Sequence, residues 1–110
     1  MKKLTKKDIE QIKALYKSFP KKILVRIARS KDGGFVAEVR TFPGCFTQGD
    51  TFSELIAMIN DCVQEYFEVP RKYRSYMPEY LASVDLAQRL GIMPSIRVLF
   101  GVNTHEKIAG

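Results

Sequence analysis

Eight apolar side chains recur at helical spacing in this chain: Phe52, Leu55, Ile56, Ile59, Cys62, Val63, Tyr66 and Phe67. A stripe that wide has to be covered, so the rest of the chain must supply a second apolar layer to pack on it. Asp61, Gln64, Glu65 and Glu68 lie off the stripe. Thr51, with Glu54 three residues on, forms a capping-box pattern, and Pro70 closes the unit. These signals predict a helix over about 51–67.

The covering layer reads as strands. Residues 22–30 alternate, with Ile23, Val25 and Ile27 on one side and Leu24, Arg26 and Ala28 on the other. Phe35, Ala37 and Val39 alternate again after a turn at Asp32-Gly33-Gly34. Facing residues share a side of the sheet, which restricts the register. A two-residue loop would set Ile27 against Glu38, whereas the three-residue loop Asp32-Gly33-Gly34 sets Ile27 against Val39 and Val25 against Thr41. The longer loop is therefore expected. Phe42-Pro43-Gly44 is a second break, and Cys45–Gln48 makes a short third strand.

Two flanking regions complete the chain. Thr5 and Asp8 cap a helix over about 5–18, with Ile9, Ile12 and Leu15 on its inner face, lysines outside, and Pro20 ending the run. Beyond Pro70, Pro78 suits a first helical turn, and Tyr80, Leu81, Val84, Leu86, Ala87 and Leu90 would line a helix ended by Gly91. Ile96, Val98, Phe100 and Val102 alternate as a last strand, and residues 103–110 read as a frayed tail. The class is α+β: a three-stranded antiparallel meander plus a later strand, one main helix packed on the sheet, and an extra N-terminal helix. At 110 residues it is a single domain, divided into a basic helix (1–21), a core (22–70), a helix and last strand (71–102) and the tail.

The net charge of +6 hides a sharp asymmetry. Residues 1–31 hold eleven Lys or Arg against Asp8 and Glu10, a balance of +9, whereas residues 32–70 hold one Arg against seven acids, or −6. Such a split speaks to partners more than to fold. No apolar run is long enough for a membrane span, and Met1-Lys2-Lys3 is followed by no secretory core, so the cytoplasm is the expected compartment. There Cys45 and Cys62, which share no CxxC pair, read as two reduced, packed thiols.

Several core residues carry a familiar wording. Gly34-Phe35-Val36-Ala37-Glu38, then Phe42-Pro43-Gly44-Cys45-Phe46-Thr47-Gln48-Gly49-Asp50-Thr51, then Glu54, resembles the HicB antitoxin family across about 35 residues. The resemblance implies a partial RNase H-like fold without the nuclease site. It also implies binding to a small RNA-cleaving toxin, assembly as dimers or tetramers, and in many members a second, DNA-binding domain. Whatever the family does, Gly44 and Gly49 permit turns, Pro43 restricts φ and Thr51 caps a helix, so Gly34, Pro43, Gly44, Cys45, Gln48, Gly49, Asp50, Thr51 and Glu54 read as structural.

The chemistry-bearing residues do not assemble into an enzyme. RNase H catalysis needs several carboxylates converging on two metal ions, beginning with one in the first strand, and Lys22–Ser30 contains none. Glu38, Asp50 and Glu54 fall on an opposite face, a loop and a helix start. His105, the single histidine, lies in the tail, and no phosphate loop, dinucleotide glycine pattern or HExxH appears, so no metal and no cofactor is expected.

Two functional classes remain. The first is a non-catalytic antitoxin-like binding module, or a solitary relative of one. The alternative is a nucleic-acid-binding regulator, by either of two routes. Lys2, Lys3, Lys6, Lys7, Lys13, Lys17, Lys21 and Lys22 would grip phosphates, unless they are simply a solvated helix face. Val84–Ile92 would instead open a helix-turn-helix whose second helix, Ser95–Phe100, offers Arg97, although Ile96–Phe100 alternates as a strand. A homodimer is expected, joined by strand edges or by the C-terminal segment, with the tyrosines beyond the main helix, Tyr66, Tyr73, Tyr76 and Tyr80, as interface candidates.

Overall fold

The computed structural model describes residues 3–82, 89–91 and 95–102. The chain runs α1 (Lys6–Ser18), β1 (Lys22–Arg29), β2 (Phe35–Val39), β3 (Cys45–Gly49), α2 (Phe52–Tyr66), a 3-10 helix (Arg71–Tyr76), β4 (Tyr80–Leu81) and β5 (Ser95–Val102). The strands form one sheet in the order β3-β2-β1-β5-β4, each neighbouring pair antiparallel. The α+β class, the meander, the last strand and the main helix are all present as the sequence predicts.

Alternation puts Ile23, Val25, Ile27, Ala37, Val39 and Phe100 on the inner face, where they are buried. The helical stripe answers with Leu55, Ile59 and Val63, each fully buried, a burial worth about 1.5–3 kcal/mol per side chain. Helix α2 touches β3 and β2 near one edge of the sheet and β4 at the other, so the sheet curls around it.

The first hairpin differs from expectation by one pair. Val25 faces Val39, Ile27 faces Ala37 and Arg29 faces Phe35, rather than Ile27 facing Val39. The loop has three residues, but they are Lys31, Asp32 and Gly33. Gly33 N–H donates to Ser30 O, Ser30 N–H donates to Gly34 O, and both glycines have positive φ. Gly34 therefore closes the hairpin instead of sitting in its loop, and inside–outside parity is kept.

Beyond α2 the sequence reading needs one correction, the last strand forms as expected, and the helix-turn-helix alternative loses its second helix. Tyr80 and Leu81 form β4, not part of a helix, because their backbone pairs with Gly101 and Val102. Residues 89–91 are helical, while Val84, Leu86 and Ala87 of the expected helix and the tail at 103–110 lie outside the described residues. Ser95–Phe100, the second helix of the helix-turn-helix alternative, is strand, matched to β1 from Ala28 back to Ile23. Residues 84–88 and 92–94 of that motif lie outside the description.

Cys45 and Cys62, expected as separate thiols, are paired as a disulfide with Cα atoms 6.2 Å apart. The inner face of β3 and the inner stripe of α2 bring them together, which 17 residues of separation conceals in the sequence.

Asn60 is a buried polar residue among these apolar ones. Its amide group donates to Tyr80 O and to Ile56 O, both at 2.9 Å, and its Oδ1 accepts from Tyr80 N–H at 2.6 Å. The side chain thus stands in for a neighbouring strand and satisfies both backbone groups of Tyr80. Asn60→Ala is expected to cost about 3 kcal/mol, because it strands a buried donor and acceptor. Urea unfolding measures it; a loss below about 1 kcal/mol would contradict the role assigned to Asn60.

Candidate functional site

The motif residues take structural positions. Phe42–Cys45 is a turn closed by Cys45 N–H to Phe42 O, with Pro43 and Gly44 central and Gly44 at φ +85°, where only glycine is unstrained. At the other end of β3 the backbone meets its neighbours at very short range. A β-carbon on Gly34 would lie 2.7 Å from Gly49 O, and one on Gly49 would lie 2.6 Å from Leu55 N. These two glycines let β2, β3 and the first turn of α2 close on one another. Thr51 Oγ1 accepts from Glu54 N–H at 3.0 Å, and Glu54 Oε1 accepts from Asp50 N–H at 2.6 Å. Gln48 points away from this clasp and is exposed.

The acidic side chains follow the same logic. Glu38 sits on the outer face of the sheet, 3.6 Å from Arg40, and the Glu54 carboxylate accepts from the Asp50 backbone N–H at the helix start. Among the described residues, no three His, Cys, Asp or Glu side chains converge as metal ligands would. His105 lies outside the description.

Helix α2 presents a different surface to solvent. Glu54, Met58, Asp61 and Glu65 are exposed and spaced four, three and four residues apart, which places them in one stripe. The helix contains no Lys or Arg. Arg74 pairs with Asp61 at 3.0 Å; no described cation pairs with Glu54 or Glu65. Just past the helix, Glu68 adopts φ +54° and closes it, with Glu68 N–H on Glu65 O and Val69 N–H on Gln64 O. Glycine is the usual residue there; a residue with a β-carbon costs about 1–2 kcal/mol.

The lysines scatter. Lys3, Lys6, Lys7, Lys13, Lys17, Lys21 and Lys22 are all exposed, and Lys2 lies outside the description. Lys17, Lys21 and Lys22 alone share a cleft, of about 550 Å³, with Phe19, Pro78 and Val102. Helix α1 does not lie on the sheet by Ile9, Ile12 and Leu15 as expected. Ile12 and Leu15 pack against the core, Ile9 is exposed, and the helix leans on the 3-10 helix.

Two of the four interface tyrosines are corrected. Tyr73 and Tyr80 are fully buried, so they hold the subunit together; only Tyr66 and Tyr76 are exposed. Tyr80 Oη donates to Pro20 O, and burial pushes its hydroxyl up to about 12. Tyr73 Oη donates to Asp8 Oδ1 at 2.6 Å, with Gln11 Oε1 2.9 Å away, and so anchors α1.

A UPF0150 protein of Thermoplasma acidophilum is 37% identical over 57 residues, covering 52% of this chain and 83% of the relative. The chain belongs to the UPF0150 family. Other UPF0150 proteins, from Archaeoglobus fulgidus and Thermotoga maritima, are 32% identical over 50 residues and 40% over 48, covering 72% and 67% of those relatives. No family model matches the chain. No solved structure matches it either. Among the described residues, no helix is long and apolar enough to cross a membrane.

The α1 anchor of this UPF0150 protein gives a pH signature. The hydrogen bond from Tyr73, followed by the Thr5 N–H, holds the Asp8 carboxyl down at about 2, against an ordinary 3.8. A depressed carboxylate stabilises above its unfolded value and stops doing so as pH falls through the folded one. The attachment of α1 is therefore expected to weaken between about pH 4 and pH 2. Carboxyl NMR titration of Tyr73→Phe should move Asp8 up toward its ordinary value; an unmoved Asp8 would show that the anchor lies elsewhere.

Proposed function

We propose that this UPF0150 protein is a non-catalytic, HicB-type antitoxin module whose acidic α2 surface docks a small basic RNA-cleaving protein. The observation that carries the reading is the cation-free helix α2 with its exposed Glu54, Asp61 and Glu65. Glu68 supports it, since a carboxylate occupies a left-handed position that glycine would fill more cheaply. The motif Gly34-Phe35-Val36-Ala37-Glu38 and Pro43-Gly44-Cys45, with Thr47-Gln48-Gly49-Asp50-Thr51, supplies the family link. In the cytoplasm, the compartment this reading implies, the Cys45–Cys62 pair would stand reduced, leaving the fold to its buried apolar core.

The proposal includes a homodimer. Among the described residues the outer backbone of β3 is an unpaired sheet edge, and β4, two residues long, covers little of the opposite one. A second reading, a nucleic-acid-binding regulator, is favoured by the cleft that gathers Lys17, Lys21 and Lys22. It would show as duplex binding that weakens steeply with salt.

Co-expression tests the lead reading. A short basic reading frame adjacent to this gene is expected to arrest growth alone and to be silenced, and co-purified, by the chain. Asp61→Lys with Glu65→Lys should abolish both effects while leaving the melting temperature nearly unchanged, because exposed ion pairs contribute only about 0–1 kcal/mol. Glu68→Gly should stabilise the chain by about 1 kcal/mol and bind the partner less tightly. Silencing that survives the double charge reversal would contradict docking on α2.

A further inference from the structure

Among the described residues, the face of the sheet turned away from α2 exposes Arg26, Phe46, Arg97 and Leu99, and it is not neutral. Register places Arg26 of β1 directly opposite Arg97 of β5, an arrangement that destabilises a sheet unless something intervenes. Arg89 lines the same hollow as both, a space of about 540 Å³. No described residue forms an ion pair with any of the three: the one acid beside them, Glu38, faces Arg26 from β2 but lies 3.6 Å from Arg40. Three guanidinium groups around one hollow, with Glu38 the one described acid beside them, leave an excess of positive charge that calls for an anion.

A second hollow, of about 500 Å³, adjoins the first and shares Arg26. Its walls include Val36, Phe46, Thr47 and Gln48. Phe46 is 65% exposed although it lies in the middle of a strand, and its register partner is Glu38. Phe46, Glu38, Arg26 and Arg97 therefore form one row across four strands, about 14 Å long at the usual strand spacing. The row sets an aromatic ring, with the Gln48 amide on the same face, at one end and two guanidinium groups at the other, with Glu38 between them and 3.6 Å from Arg40; ring and guanidinium groups suit base and phosphate.

We propose that this open sheet face binds single-stranded nucleic acid, with a base against Phe46 and phosphates on Arg26, Arg89 and Arg97. Flat sheets with exposed aromatics are suited to splayed bases, and arginine suits phosphate by its planar fork. A second copy of the chain is a poor occupant. A two-fold contact would set this arginine-rich surface against itself, with Glu38 its only described acid. The site stands apart from the antitoxin reading, which uses the solvent side of α2, and it uses neither the lysines of α1 nor a helix-turn-helix.

Fluorescence anisotropy of labelled ten-residue oligouridylate and oligothymidylate with the full 110-residue chain tests it. Saturable binding is expected, weakening as salt rises. Phe46→Ala should weaken it about tenfold or more, and Arg26→Gln with Arg97→Gln should weaken it at least as much. All three positions are exposed, so circular dichroism should show an unchanged fold. Absence of binding at 100 µM protein in low salt would overturn the proposal. So would equal affinity for a duplex or for oligoglutamate, or binding lost in Lys13→Gln with Lys17→Gln but kept in Phe46→Ala.

Discussion

Helix α2 can rest on this sheet only where the backbone of β3 lets it approach, and that place is Gly49. The first turn of α2 comes so near that an added β-carbon would meet Leu55 N at 2.6 Å, while Gly34 meets Gly49 O on the far side at nearly the same range. The rest of the core depends on this spacing. It lowers Leu55, and with it Ile59 and Val63, onto the inner face of the sheet, and it places Cys62 against Cys45. Thr51 and Glu54 then secure the helix start by hydrogen bonds that involve no tertiary partner.

That division between local and long-range forces explains what the sequence disclosed. Capping residues, the Pro43-Gly44 turn and the alternating strands act within a few positions, so they were legible. The apolar stripe of α2 was legible too, because its period is intrinsic to the helix. Interactions made at long range were not. Asn60 reads as a polar residue of no consequence until Tyr80, twenty residues away, presents an unpaired backbone for it to satisfy. The buried Tyr73 and Tyr80 were mistaken for interface residues because tyrosine composition does not distinguish a core from an exposed patch. The hairpin slipped by one pair because two adjacent glycines each satisfy the turn rules, and only the close approach of Gly34 to β3 separates them.

The surfaces repeat the charge asymmetry of the sequence, but in a different form. The acidic centre condenses onto the solvent side of α2. The basic excess does not concentrate where the lysines are dense, since α1 spreads them around a half-attached helix. A cationic patch arises instead where strand register aligns Arg26 of the basic segment with Arg97 of the last strand. Register is invisible to a count of charges, so the arginine face escaped a reading based on segments. The domain thereby carries an anionic surface on α2 and a cationic one on the sheet, separated by a single sheet–helix core.

The central claim is that the glycine-containing motif is a clasp for α2. Thermal and urea unfolding of Gly49→Ala measures this directly, with Gly91→Ala as the comparison, since a β-carbon at Gly91 meets nothing within 4 Å. The clasp predicts that Gly49→Ala loses about 3 kcal/mol or more, or fails to fold, because the obstacle is backbone that cannot move aside. It predicts little change for Gly91→Ala. A Gly49→Ala protein that unfolds at the wild-type midpoint would contradict the claim.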